Sequence, residues 1–271
     1  MLEHYISRPY TVYKCLASSE TGQPAKNAQK RGHAKHTNSQ KRNTMSLKVY
    51  ENLEQGSDEW LQARCGMITA STIGTLITPS TLKVANNQTS RTKLYELAAE
   101  RISGRVEETP TTWQMERGNE EEERARDLYA EHYAPVDQVG FIVREVDGVR
   151  IGFSPDGLIR DDGIVEFKSR SPKIHLRHVI HNRVPPENLA QVMTGLYVTG
   201  REWCDYASFS NGNAFWTKRV YPDQAWFDAI HKALMTAEQQ IQQIVDDYSA
   251  EVEGLPVAEY IDPFEEVELI L

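Results

Sequence analysis

Three side chains in one short stretch have the types and spacing for phosphodiester chemistry. Within residues 152–168, GFSPDGLIRDDGIVEFK, Asp156 precedes Glu166, and one apolar residue separates Glu166 from Lys168. On a strand, period-2 alternation sets Glu166 and Lys168 on one face and Val165 and Phe167 on the other, against a core. An aspartate from the neighbouring strand would join them on the polar face. Carboxylates and a lysine aimed at one point can hold a hard divalent cation and orient a water beside it. Phosphodiester hydrolysis needs that equipment. A bare acid-x-Lys tripeptide is weak evidence, because a surface ion pair worth about 0–1 kcal/mol gives the same pattern. The context strengthens it: Ser154-Pro155-Asp156-Gly157 ends one strand and opens a loop, where a side chain can project into a cleft.

The elements that must present these residues are legible in outline. The pattern predicts a helix over residues 57–64, a second beginning near Ala70 or Ser71, and a third over 91–103. A fourth, over 112–133, carries an imperfect amphipathic stripe of Trp113, Met115, Ala125, Leu128, Tyr129 and Tyr133. Turns at Asp147-Gly148 and at residues 161–163 divide three apolar runs, 140–145, 149–153 and 164–167, which read as a strand meander. A helix over 189–199, strands over 203–210 and 214–220 and a long helix over 223–248 complete the order. This is an α/β chain with a small mixed sheet flanked by helices.

Charge is distributed unevenly. The 271 residues sum to −9, but residues 1–44 hold eight Lys/Arg and two Asp/Glu, leaving 22 against 37 for residues 45–271. An acidic body is awkward for a nucleic-acid enzyme, so DNA contact needs a local basic strip. Arg170, Lys173, Arg177 and Arg183 supply one just after the candidate centre. Residues 1–44 have no hydrophobic period after about residue 16 and read as a disordered basic arm, or as an extension upstream of a natural start at Met45. Residues 250–271 carry seven acidic side chains and no basic one, interleaved with apolar residues: a docking tail or a solvated end packed on its domain. The folded domain is expected over 45–249. Cys15, Cys65 and Cys204 fit neither a disulfide framework nor a four-cysteine metal site. No 18-residue apolar run and no signal-type stretch is present, which makes the cytoplasm the default.

Other motifs have competing readings. The run from Glu120 to Glu123 follows Gly118 near a helix start, where acidic residues favour the helix dipole without any catalytic role. His175, His178 and His181 fall at three-residue intervals, but zinc would want a further ligand in tetrahedral array, and exposed or phosphate-facing histidines are the better reading. Trp203, Tyr206, Phe209, Phe215 and Trp216 alternate on predicted strands and read as packing residues.

Four blocks, WLQARCGMITAS (60–71), GNEEEERARDLY (118–129), SPDGLIRDDGIVEFK (154–168) and QVMTGLYVTG (191–200), resemble the lambda-exonuclease, YqaJ-type viral recombinase family. That family belongs to the restriction-endonuclease-like PD-(D/E)xK nucleases, and the likeness covers roughly residues 50–245. The resemblance implies a restriction-endonuclease-like mixed central sheet flanked by helices. It implies that Glu122, Asp156 and Glu166, with the main-chain carbonyl of Phe167, hold two Mg2+ ions, for which Mn2+ can substitute. Lys168 would position or deprotonate the attacking water. Arg64, Ser71, Ser154 and Gln191 would form a pocket for a 5′-phosphate, a chemistry that suits an arginine fork and hydroxyl and amide donors. The implied activity is 5′→3′ degradation of duplex DNA to mononucleotides, leaving 3′ tails. A homotrimer around the duplex, and a single-strand annealing protein as partner in phage-type recombination, are implied with it. An endonuclease of the same superfamily and a catalytically silent DNA-binding module are the rival readings.

Overall fold

A computed structural model describes residues 46–106 and 113–261, without the side chains of residues 113–116 and 119. The readings of residues 1–44 and of residues 262–271 lie outside the described residues. In chain order the elements are β1 (Ser46–Tyr50), α1 (Asp58–Arg64), β2 (Ile68–Thr69), α2 (Ala70–Leu76), β3 (Ile77–Thr78) and β4 (Lys83–Val84). They continue with α3 (Gln88–Ser103), α4 (Trp113–His132), β5 (Phe141–Val146), β6 (Val149–Phe153), β7 (Gly157–Ile159) and β8 (Gly163–Ser169). The last five are α5 (Pro172–His181), α6 (Pro186–Thr199), β9 (Trp203–Phe209), β10 (Trp216–Val220) and α7 (Gln224–Glu251).

The expected mixed sheet is present as two four-stranded sheets, ordered β1-β5-β6-β2 and β10-β9-β8-β7, beside a small β3-β4 ribbon. In the first, only β2 runs parallel to its neighbour. In the second, β8 and β9 are parallel, and the chain between them is helical, as a parallel pair requires. The three runs expected as one meander do not form one. β5 and β6 pair as a hairpin, but β8 pairs with the short β7, which periodicity missed. The break falls at Ser154-Pro155-Asp156. Pro155 has no N–H with which to continue a ladder, so the chain leaves the first sheet there and enters the second at Gly157.

Local chemistry explains several helix ends. The Ser57 hydroxyl accepts from the Trp60 N–H to start α1. Asn87 and Ser90 form a reciprocal capping box at α3, three residues before the expected start, and Gly104 closes that helix in the left-handed region. Asp223 caps α7. The main core lies where α2, α3, α6 and α7 meet both sheets, around Ile68, Ile73, Phe153, Leu196 and Ile230. A second cluster lies between α4 and the opposite face of β8 and β9, from Ala125, Tyr129, Val165, Phe167 and Ala207. The second sheet is thus covered on both faces, and β8 is buried on both. Among the described residues, no helix is long and apolar enough to cross a membrane.

The aromatic residues of β9 and β10 pack as expected: Trp203, Tyr206 and Phe209 are buried, and Phe215 and Trp216 lie against the two clusters. The histidine reading is corrected. His175 and His178 are buried on the underside of α5, a helix the sequence reading left unassigned, and only His181 is exposed. In the described part of the tail Leu255, Val257, Tyr260 and Ile261 are largely exposed, and the Arg105 guanidinium lies 3.6 Å over the Tyr260 ring. Cys204 is a buried free thiol.

Gly157, directly after Asp156, is required by space. A Cβ there would stand 2.1 Å from Val136 Cγ1 and 3.0 Å from Val165 Cγ1. Gly157→Ala should therefore overpack the start of β7 and cost about 1–3 kcal/mol. A thermal melt would register the drop, and a melting temperature equal to that of the parent would contradict the close approach.

Candidate active site

β8 emerges from the core residue by residue. On one face Ile164 sits in the main core, Glu166 follows at 1 % exposure, and Lys168 reaches a partly open position. On the other face Val165 and Phe167 pack under α4. Burial rules out a surface ion pair as the explanation of Glu166. The Lys168 ammonium donates to Glu166 Oε1. Extending the β7–β8 register by one residue beyond Gly157↔Val165 sets Asp156 opposite Glu166, and the Phe167 N–H donates to Asp156 Oδ2 at 2.7 Å. A strand residue's N–H and C=O leave on the same edge, so the Phe167 carbonyl is directed to the edge that Asp156 occupies.

α4 brings the third carboxylate. Of the four consecutive glutamates, Glu120 and Glu123 are exposed, while Glu121 and Glu122 are turned toward β8. Glu121 accepts from the Ser169 hydroxyl. Glu122 accepts from Arg126 Nη2 at 2.7 Å, and its charge acts on Asp156 and Glu166. Arg126 was missed by sequence reasoning. Its Nε also donates to the Asp156 carbonyl at 3.2 Å, and Gln138, with its amide oxygen turned inward, accepts 2.7 Å from Nη1. The signal was available as an acid-to-arginine i, i+4 pair on a helix.

Electrostatics reflect too much negative charge in too little water. Burial, then repulsion from Asp156, pushes the Glu166 carboxyl up to about 8. Burial and Asp156 likewise raise Glu122 to about 7. Burial raises Asp156 also, against the pull of Lys168. For Lys168 burial works against the charge, but Glu166 and Asp156 outweigh it and hold the ammonium above the ordinary lysine range. Lys168 is therefore a fixed cation here. Among the described residues no three His, Cys, Asp or Glu side chains are gathered in a ready metal-ligating array. The reason is visible: Glu166 is turned to Lys168, Glu122 to Arg126 and Asp156 to the Phe167 N–H. The donor set nevertheless fits a hard divalent cation, being three carboxylates and a carbonyl whose mutual repulsion such an ion would relieve.

The four residues expected to bind a 5′-phosphate are only partly assembled. The Arg64 guanidinium stacks on Trp60, 3.9 Å from the ring centroid, and burial lowers it to about 10 against the pull of Glu100. The Trp60 indole N–H donates to Ser154 Oγ at 3.0 Å, so one indole links Arg64 to the loop before Asp156. Ser71 is exposed at the start of α2, with its hydroxyl 3.0 Å from that of Thr69. Gln191 is partly buried on α6, next to Ala190, which faces Gly74 of α2. No direct contact joins Ser71 or Gln191 to the Arg64–Trp60–Ser154 chain among the described hydrogen bonds.

The YqaJ-like viral recombinase domain matches residues 59–202, more than half of the chain and every candidate site residue. The chain belongs to that family. The matched span is shorter than the 50–245 anticipated from the motifs. Among solved structures, an alkaline exonuclease from Laribacter hongkongensis shares 26 % identity at a TM-score of 0.64, covering 74 % of this chain and all of that one. The same exonuclease in complex with dAMP aligns at 24 % identity and a TM-score of 0.62, again over 74 % and 100 % of the two chains. A phage related exonuclease from Haemophilus somnus shows the fold at 12 % identity and a TM-score of 0.51, over 67 % of this chain and 96 % of that one. Curated protein sequences give no match.

The raised carboxyls fix a sign for pH dependence. From the ordinary value of 4.5 up to about 7 for Glu122 and about 8 for Glu166, the folded carboxyls hold protons that the unfolded chain has released. Stability then falls as pH rises through that window. A divalent cation held by these carboxylates would bind the deprotonated form, so its stabilising effect would grow over the same range. Melting temperatures in chelator should fall from pH 5 to 8 (about the window set by these carboxyls) and diverge from those in Mg2+. An equal gap at both ends would contradict the assignment, and Glu166→Gln should reduce the slope.

Proposed function

We propose that this YqaJ-family nuclease is a Mg2+-dependent 5′→3′ exonuclease on double-stranded DNA. It would release mononucleotides and leave 3′ single-stranded tails for recombination by strand annealing. The observation that carries the reading is the convergence of Glu122, Asp156, Glu166 and Lys168 from α4, the β6–β7 junction and β8. The kinship with an alkaline exonuclease supports it, and that exonuclease binds dAMP, a product of the expected kind.

In this reading Glu122, Asp156, Glu166 and the Phe167 carbonyl hold the metal. Divalent cations, Mg2+ or Mn2+, supply positive charge at the phosphate and a water acidic enough to attack at neutral pH. Asp156 and Glu166 must leave their internal partners partly free to ligate, and Arg126 steadies Glu122 and the Asp156 main chain meanwhile. Lys168, kept charged by its carboxylate neighbours, stabilises the negative charge on the phosphate and orients the water rather than removing its proton. Arg64, with Ser154 beside Trp60, receives a 5′-phosphate through a charged fork, and Ser71 and Gln191 complete the pocket as it fills. A homotrimer and a single-strand annealing partner belong to the same proposal through the family.

Digestion of a linear duplex labelled at each 5′ end in turn, beside a supercoiled circle, tests this. The expected result is stepwise loss from 5′-phosphorylated ends with Mg2+, none with chelator, none on the circle, and at least a hundredfold slower loss with Lys168→Ala, roughly the scale of one charged catalytic donor. Cutting of the circle would move the assignment to an endonuclease. Binding without cutting would leave a DNA-binding module.

A further inference from the structure

α5 is amphipathic in the reverse sense. The stripe Lys173, Leu176, Arg177 and Ile180, at the i, i+3, i+4, i+7 spacing that ordinarily marks a core face, points to solvent. Leu176 is 57 % and Ile180 67 % exposed. The face turned to the protein instead holds His175, whose Nδ1 lies 2.9 Å from Ser208 Oγ, and His178, which packs its edge against Tyr206. Burial and Arg170 keep His178 below the ordinary histidine range. A buried polar face and an exposed aliphatic one are the arrangement of a helix that meets a partner on its outer side.

Its position and charge identify the partner's chemistry. The β8–β9 register sets Glu166 beside Tyr206 and Lys168 beside Ser208. His175 and His178 therefore seat α5 over the same sheet face as the candidate centre, and the helix begins four residues after Lys168. From Lys168 to Pro186 the chain has five Lys/Arg and no Asp/Glu, within a body that carries 37 acids against 22 bases. Such a strip is complementary to a polyanion. Intact duplex offers cations its phosphates but offers leucine and isoleucine little, because its bases are stacked inside. Unpaired nucleotides present both charge and apolar base faces, and aliphatic side chains are the usual wedges at opened base steps.

We propose that the outer face of α5 binds the unpaired nucleotides at a DNA end beside the candidate centre. Lys173 and Arg177, with Arg183 just past the helix, hold phosphates, and Leu176 and Ile180 lie against bases. This rests on the nuclease reading of the site. The test uses the full chain with Ca2+ in place of Mg2+, and measures anisotropy of labelled duplexes with blunt or frayed 5′ ends over a range of salt. Lys173→Ala/Arg177→Ala should weaken binding about tenfold and reduce the salt slope by about 2, one unit per lost phosphate contact. Leu176→Ser/Ile180→Ser should leave the salt slope in place and abolish a preference for frayed ends. Unchanged affinity and end preference in both variants would overturn the proposal. So would a preserved end preference with a lower sedimentation mass in Leu176→Ser/Ile180→Ser, since the face would then join copies of the chain. Parallel digestion by the unsubstituted chain with Mg2+ separates the two readings: no cleavage there defeats the nuclease assignment, whatever the α5 variants bind.

Discussion

The site rests on keeping the Glu166 carboxylate buried beside Lys168, at the point where β8 leaves the core. An isolated carboxylate in that position would be costly, because burial strips its hydration. The protein offsets this with a lysine two residues on, on the same strand face. It then adds two more carboxylates, Asp156 and Glu122, for which one lysine and one arginine are not sufficient compensation. The raised carboxyls measure that shortfall. Removing either cation from such an arrangement leaves buried negative charge uncompensated, whereas a divalent ion relieves it.

Everything around the centre works to hold that balance. α4 supplies Glu122 and Arg126 one turn apart, so acid and counterion arrive together on one rigid element. The switch between sheets at Pro155 frees Asp156 from any ladder of its own and lets it cap the Phe167 N–H. Trp60 connects the neighbouring arginine to the same loop through Ser154. A chain with a strongly acidic body thus places Arg64 and Arg126 singly around the centre and gathers five further cations, with no acid among them, in the stretch from Lys168 to Pro186.

The sequence was most legible where periodicity and spacing are local. The Glu166–Lys168 alternation, the helical run around Glu122 and the boundaries of β6 all follow from patterns a few residues long. The division into two sheets was not legible, because β7 has only three residues and its partner choice depends on Pro155 and on the space left by Gly157 beside Val136. The choice of Glu122 over Glu121 is likewise a matter of helix rotation against β8, and both glutamates in fact face inward. α5 escaped notice because its apolar stripe faces outward and its inward residues are histidines, a pattern that reads as a charged surface segment.

The parallel pairing of β8 with β9 has a consequence for how the protein is made. Asp156, Glu166 and Lys168 lie within a span of thirteen residues, yet the strand that aligns them arrives only with residues 203–209, after α5 and α6 have been synthesised. Such non-local pairing is slow and cannot precede the emergence of its second strand. A nascent chain still on the ribosome holds Asp156, Glu166 and Lys168 on or beside a strand whose parallel partner has not yet emerged. The order of translation thereby sets the order of assembly: the centre of this family's fold is aligned only once residues 203–209 are available to pair with β8.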